Sequence, residues 1–194
     1  AVEGAQLISG FRPGVTRKKI VDVLHSGEIL DVIEKRNIQR GDSILITPGM
    51  IHALGPGSLV YEVQQTSDIT YRVYDWGRPM TAGRKLHIDE AMIALDPGAA
   101  GDILSVSCHP SEGAIQLATS KYFTLELLKG SEVNVAVNTR GESFTSITVV
   151  DGNVRIEGQD WVFDLDRFET LLIPAVCSEY EVAFSSPARV LKAF

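Results

Sequence analysis

The sequence predicts a mainly β chain of small barrels or sandwiches, with a short helical segment near its start, and three observations lead there. From about residue 115 onward, short runs rich in β-branched and aromatic residues recur at close spacing, separated by turn residues. Between residues 43 and 75 the pattern changes to a strand-like alternation of apolar and polar side chains. Helical spacing of apolar residues occurs only before residue 35 and around residue 90. A chain of 194 residues suits one large domain or two small ones, with enough apolar content for a core.

Taken in order, residues 5–9 read as a short strand, which Pro13-Gly14 ends. Thr16 is placed to cap a helix with Ile20, Val23 and Leu24 on its apolar face. After Ser26-Gly27 a second short helix is expected, carrying Ile29, Val32 and Ile33, so that helical structure fills residues 16–35. Gly41-Asp42 turns the chain into a strand over 43–47. In the next strand, 58–65, Leu59, Tyr61 and Val63 share one face and Glu62 and Gln64 the other. A bend at Thr66-Ser67-Asp68 leads to a strand over 69–75, where Ile69, Tyr71 and Val73 alternate with Thr70 and Arg72. A short helix near 89–95 ends at Asp96-Pro97-Gly98. Strands are then expected at 115–119, 122–128, 132–137, 144–150, 153–157, 160–164, 170–173, 179–184 and 188–193, with Asp151-Gly152 as a hairpin turn. The stretch 96–114, with Pro97, Gly98, Gly101, Pro110 and Gly113, reads as a linker between a unit over 1–95 and a β-barrel over 115–194.

The formal net charge of −7 makes nucleic acid a poor electrostatic partner. Apolar runs are too short to span a membrane as a helix, and no signal-peptide pattern is present. Cys108 and Cys177 form no Cys-x-x-Cys pair, which suits free thiols in a reducing, cytoplasmic setting, a disulfide between the two being the alternative. Positive charge is concentrated at Arg72, Arg78, Arg84 and Lys85, which suits a small anion such as a phosphate; the alternative is a solvated loop.

The segment 41–78, GDSILITPGMIHALGPGSLVYEVQQTSDITYRVYDWGR, carries the chemistry. His52 follows a Pro-Gly turn, and Glu62, Gln64, Asp68, Thr70 and Arg72 fall at even positions against mostly apolar odd ones. Such a polar face is solvated in a plain sheet and lines a ligand-holding lumen in a small barrel. A lone histidine is more often structural than a metal ligand, but the spacing Gly-Asp, Pro-Gly, two residues, His resembles the second motif of cupin barrels.

This segment resembles the signature of the zinc-dependent type I mannose-6-phosphate isomerases of the bacterial short form, and RKLHIDEAM, SKYFTLELL and ETLLIPAVCSEYEV extend the resemblance along the chain. The resemblance implies two tandem cupin (jelly-roll-like) barrels, the first incomplete, and interconversion of mannose 6-phosphate and fructose 6-phosphate. It implies that His52 is a zinc ligand, that Arg72 is the active-site arginine, and that Glu62 and Asp68 are pocket carboxylates, Glu62 being the acid/base candidate. Arg78 and Lys85 fall where the family keeps cations for the substrate phosphate, and His87 matches a recurring residue with no assigned role, the alternative being a structural histidine hydrogen-bonded to backbone.

Two departures accompany it. Pro48 stands one position later than usual in Thr47-Pro48-Gly49, and no Gln-x-His-Pro segment supplies the remaining zinc ligands. His109-Pro110 follows the signature and is read as linker. The chain, which begins at Ala1 without a Met, is therefore expected to be the C-terminal portion of a longer enzyme, with one zinc ion incompletely liganded and little turnover alone. A barrel short of strands is expected to self-associate. The alternative is a non-catalytic cupin module that binds a sugar or a partner protein. A cupin oxygenase is disfavoured because no His-x-His motif occurs.

Overall fold

A computed structural model describes residues 1–67, 69–78, 84–106 and 112–194. The chain divides into two units, Ala1–Tyr61 with Thr66–Ser107, and Glu62–Gln65 with Cys108–Phe194.

The elements of the first unit are β1 (Gln6–Phe11), α1 (Arg17–Ser26), β2 (Ile33–Asn37), β3 (Asp42–Ile44), β4 (His52–Leu54), α2 (Ile88–Ala94) and β5 (Ile103–Ser105). β1 lies between β2 and β4, antiparallel to both, and β3 pairs antiparallel with β5. The Thr16 hydroxyl accepts from the Lys19 N–H at 3.3 Å, satisfying one of the orphan donors of α1, and Gly27 closes the helix at φ +79°. Ile20, Val23 and Leu24 face inward as their spacing predicts, packing with Ile8, Ile29, Val32 and Ile33.

Two expectations for this unit are corrected. Helix does not fill 16–35: beyond α1 only a 3₁₀ turn at Ile29–Asp31 is helical, and Ile33 opens β2. A β-branched residue with a neighbouring strand to pair with is better placed in a ladder than in a helix. Among the described residues of 58–75 no strand is assigned. Alternation chooses a face but supplies no partner, and that face is open here, with Leu59 78% and Ile69 69% exposed.

In the second unit, β6 (Gly113–Thr119), β7 (Thr124–Gly130), β8 (Val133–Asn138), β9 (Thr145–Asp151), β10 (Val154–Gly158), β11 (Val162–Leu165), β12 (Thr170–Ile173), β13 (Glu179–Phe184) and β14 (Ala188–Ala193) follow the expected strands closely. They form two antiparallel sheets, ordered β11-β10-β13-β8 and β12-β9-β14-β7-β6, the double-sheet jelly roll that the resemblance to cupins implies. Alternate residues, among them Ile147, Val149, Ile156, Val182, Phe184 and Val190, fill a common core. Asp151-Gly152 is a turn but not a hairpin, because β9 and β10 belong to different sheets. Gly152, at φ +71°, is required there: a Cβ would meet the Pro187 carbonyl oxygen at 2.7 Å. The stretch 96–114 holds β5 and the start of β6, and residues 107–111 lie outside the described residues.

Candidate functional site

His52 stands at the first position of β4, opposite Ser9 of β1. It is delivered there by a tight turn in which the Met50 N–H reaches the Thr47 carbonyl at 3.1 Å. Pro48 and Gly49, the latter at φ +86°, occupy the central positions as a type II turn requires. The proline at position 48 therefore fits this turn. A Cβ at Gly49 would lie 2.7 Å from the Ala94 carbonyl, so the close approach of α2 also demands glycine. His52 is exposed, and its Nδ1 lies 3.0 Å from the Met50 carbonyl. That contact is a hydrogen bond only when Nδ1 carries the proton, which leaves the Nε2 lone pair outward, the form in which an imidazole binds a metal.

Arg72 is half-buried and held by its own backbone. The Arg72 carbonyl accepts from the His87 N–H at 2.8 Å, and the Arg72 N–H donates to His87 Nδ1 at 3.2 Å. His87 is thus hydrogen-bonded to backbone, as the structural reading of it expects: it pins the arginine's main chain, with the Tyr71 ring 6.2 Å from its own.

Three residues further along, Asp75 turns inward, its side chain only 10% exposed. Arg84 Nη1 donates to Asp75 Oδ1 at 3.2 Å, and Arg78 Nη1 lies 3.7 Å from the same oxygen. Trp76 and Gly77 between them have φ of +54° and +68°, and the Arg78 N–H closes the turn on the Asp75 carbonyl at 2.9 Å. A tryptophan in the left-handed region is strained, a condition that the surrounding structure must impose.

Of the other expected site residues, Glu62 is exposed and falls within the second unit, whereas His52, Arg72 and Arg78 fall within the first. Lys85 is exposed, and Asp68 lies outside the described residues. Sequence reasoning passed over Asp75 and left Arg84 as one charge among several. A signal was present: in the alternation Ile69, Tyr71, Val73, Asp75, a carboxylate occupies an apolar position amid arginines. Among the described residues no three His, Cys, Asp or Glu side chains converge as a metal site.

In the second unit the core holds one unusual polar group. Tyr180 is 3% exposed, its hydroxyl has no well-formed hydrogen bond among the described residues, and burial pushes its pKa up to about 12. Thr145 approaches it and moderates the shift only in part. On the surface, Arg155 and Asp164 form a paired bridge with N–O distances of 2.8 and 3.0 Å.

The fold of this chain is similar to that of mannose-6-phosphate isomerases of known structure. The crystal structure of the enzyme from Bacillus subtilis superimposes with a TM-score of 0.80 at 24% identity, over 100% of this chain and 61% of that one. A variant of the phosphomannose isomerase from Salmonella typhimurium gives 0.70 at 10% identity, over 98% and 65%. By sequence the chain is related to curated mannose-6-phosphate isomerases. It is 23% identical over 180 residues to ManA of Bacillus subtilis, covering 92% of this chain and 57% of that protein. It is 35% identical over 100 residues to the Streptococcus mutans enzyme, covering 50% of this chain and 31% of that protein. The chain thus spans under two thirds of the curated relatives' length along which it aligns most fully. No family model matches it.

Proposed function

We propose that this chain carries part of a mannose-6-phosphate isomerase, interconverting mannose 6-phosphate and fructose 6-phosphate. The observation that carries the reading is similarity along nearly the whole chain to relatives bearing that name. The backbone clamp on Arg72 supports it, because an arginine meant to meet a developing charge must be held in place beforehand.

The reaction moves a proton between C1 and C2 through an enediol, and negative charge develops on the neighbouring oxygen. The Arg72 guanidinium stabilises that oxygen. The resemblance alone brings Glu62 as the group that takes and returns the proton, Asp68 as a further carboxylate, and Arg78 and Lys85 as cations for the phosphate. The described residues do not by themselves fit a zinc site, since His52 offers one imidazole and no further donors gather with it. No step is therefore assigned to a metal, and zinc at His52 remains the proposal that the resemblance brings.

Self-association belongs to the same reading and is supported by the open apolar residues Leu59, Val60, Tyr61, Ile69 and Tyr71. The cytoplasmic setting expected from free thiols goes with it.

The test is a coupled isomerase assay on the full-length protein. Arg72→Ala should reduce kcat by about a hundredfold, the usual effect of losing one donor to a developing oxyanion. Arg72→Lys should recover only part of it, because an ammonium lacks the planar fork. Metal analysis of the protein beside His52→Ala tests the ligand role. A protein that leaves mannose 6-phosphate unchanged, or an Arg72→Ala variant of full activity, defeats the reading.

A further inference from the structure

We propose that His87 is a proton-dependent positioning residue: its neutral imidazole holds the main chain of Arg72, and protonation of that ring lets it go. The inference rests on the reading above for what Arg72 does, and its test includes a readout that needs no catalysis.

Two hydrogen bonds join Arg72 to His87, and they differ in chemistry. The His87 N–H donates to the Arg72 carbonyl at 2.8 Å, a main-chain bond whose partners do not titrate. The Arg72 N–H donates to His87 Nδ1 at 3.2 Å. A backbone N–H can only donate, so Nδ1 presents its lone pair and the neutral ring carries its proton on Nε2. An imidazolium has an N–H at both ring nitrogens. Its Nδ1–H would face the Arg72 N–H, donor against donor, and one of the two ties is lost. Arg72 is then held by a single main-chain bond, and its guanidinium loses the fixed placement that stabilising a developing charge requires.

The setting directs the proton's effect to this contact. His87 is half-buried and precedes α2, and its side chain makes no capping bond to that helix. The Tyr71 ring stands 6.2 Å from the imidazole, inclined at 54°. The titratable and charged groups on the surrounding elements are Tyr71, Arg72 and Tyr74 on the opposite arm, Asp89 and Glu90 in the first turn of α2, and Arg17 of α1, whose Nη2 donates to the Met92 carbonyl of α2 at 2.6 Å. Three residues beyond the clamp on each arm, Asp75 and Arg84 are engaged with each other. His52 has the opposite arrangement, since its Nδ1 faces a carbonyl and bears the proton in that bond. The two imidazoles are therefore different tautomers, which nitrogen spectra distinguish.

The test uses the full-length protein with ¹⁵N in the histidine rings and arginine amides, titrated without substrate from pH 8 to 5, the range in which imidazoles exchange their proton. At pH 8 the His87 ring should carry its proton on Nε2, and the Arg72 amide should shift in step with protonation of that ring. In His87→Asn, whose Oδ1 accepts the same N–H and does not titrate, the Arg72 amide should hold still. Isomerase rates from quenched time points form the second arm. Dividing kcat of the unaltered protein by that of His87→Asn cancels the ionisations both share. That ratio should fall about fivefold or more from pH 8 to pH 5, toward the level of His87→Leu. Thermal melts check that His87→Asn is folded, and the titration of the unaltered protein carries the test if it is not.

A His87 ring protonated on Nδ1 at pH 8, or an Arg72 amide indifferent to the charge of the ring, overturns the proposal. So does a ratio that stays flat from pH 8 to 5 while both proteins isomerise. A protein that leaves mannose 6-phosphate unchanged defeats the enzyme reading alone, because the nitrogen spectra still decide the clamp.

Discussion

Replacing Tyr180 by Phe should stabilise the second unit, and the gain should grow with pH. The hydroxyl lies in an apolar core where Thr145 approaches it without a well-formed hydrogen bond, so much of its desolvation cost in the folded state is not offset. Removing it while keeping the ring should contribute about 1 kcal/mol at pH 7. For a unit of this size that raises Tm by about 4–8 °C. The pH dependence follows from the raised phenol pKa. Below pH 10 both folded and unfolded chains keep the proton, and the group contributes no slope. Between pH 10 and the folded value of about 12 only the unfolded chain loses it, so stability falls as pH rises. At pH 11 wild type should have lost about 1.4 kcal/mol relative to Tyr180→Phe, in addition to the difference at pH 7. Urea unfolding followed by circular dichroism at pH 7, 9, 10 and 11 measures this, the difference between the two proteins cancelling other titrating groups. A variant less stable at pH 7, or a difference that stays flat from pH 9 to 11, would refute the assignment of Tyr180 as a buried phenol whose desolvation Thr145 only partly offsets.

Two further outcomes are expected. His87→Leu should lower kcat about tenfold by releasing the Arg72 main chain, while His87→Asn, whose Oδ1 replaces the accepting Nδ1, should keep most of it; steady-state assays of both variants decide. The 194-residue chain should be larger than a monomer at micromolar concentration, and Leu59→Lys with Ile69→Lys should shift it toward monomer by multi-angle light scattering. A monomer at every concentration removes self-association.

The second unit was legible because each strand has a partner within it. Residues 170–173, 179–184 and 188–193 have the expected bounds, since alternation, burial and a ladder all agree there. The same alternation in 58–75 gives no assigned strand, because pairing is a property of two segments and a sequence pattern describes one. Asp151-Gly152 illustrates a related gap: turn chemistry announces a reversal but not which sheet receives the chain. In the site, His52 and Arg72 were reached through a resemblance, and the Pro-Gly turn that sets His52 could be read directly. Asp75 and Arg84 could not be joined from sequence, because nine residues separate them and the tie at Arg72 and His87 brings them together.

The two tryptophans fall one in each unit, and their surroundings differ enough for each to act as a separate optical reporter. Trp76 is 53% exposed on the turn between Asp75 and Arg78, so its emission should be red-shifted and open to acrylamide quenching. Trp161 packs on the jelly-roll core with its ring 6.2 Å from Tyr180 and should emit further to the blue. One unfolding titration therefore yields two spectra that can be resolved. Because Trp76 adjoins the arginine pair, a ligand that settles there should change the red component and leave the blue one alone, marking the unit it occupies without any label.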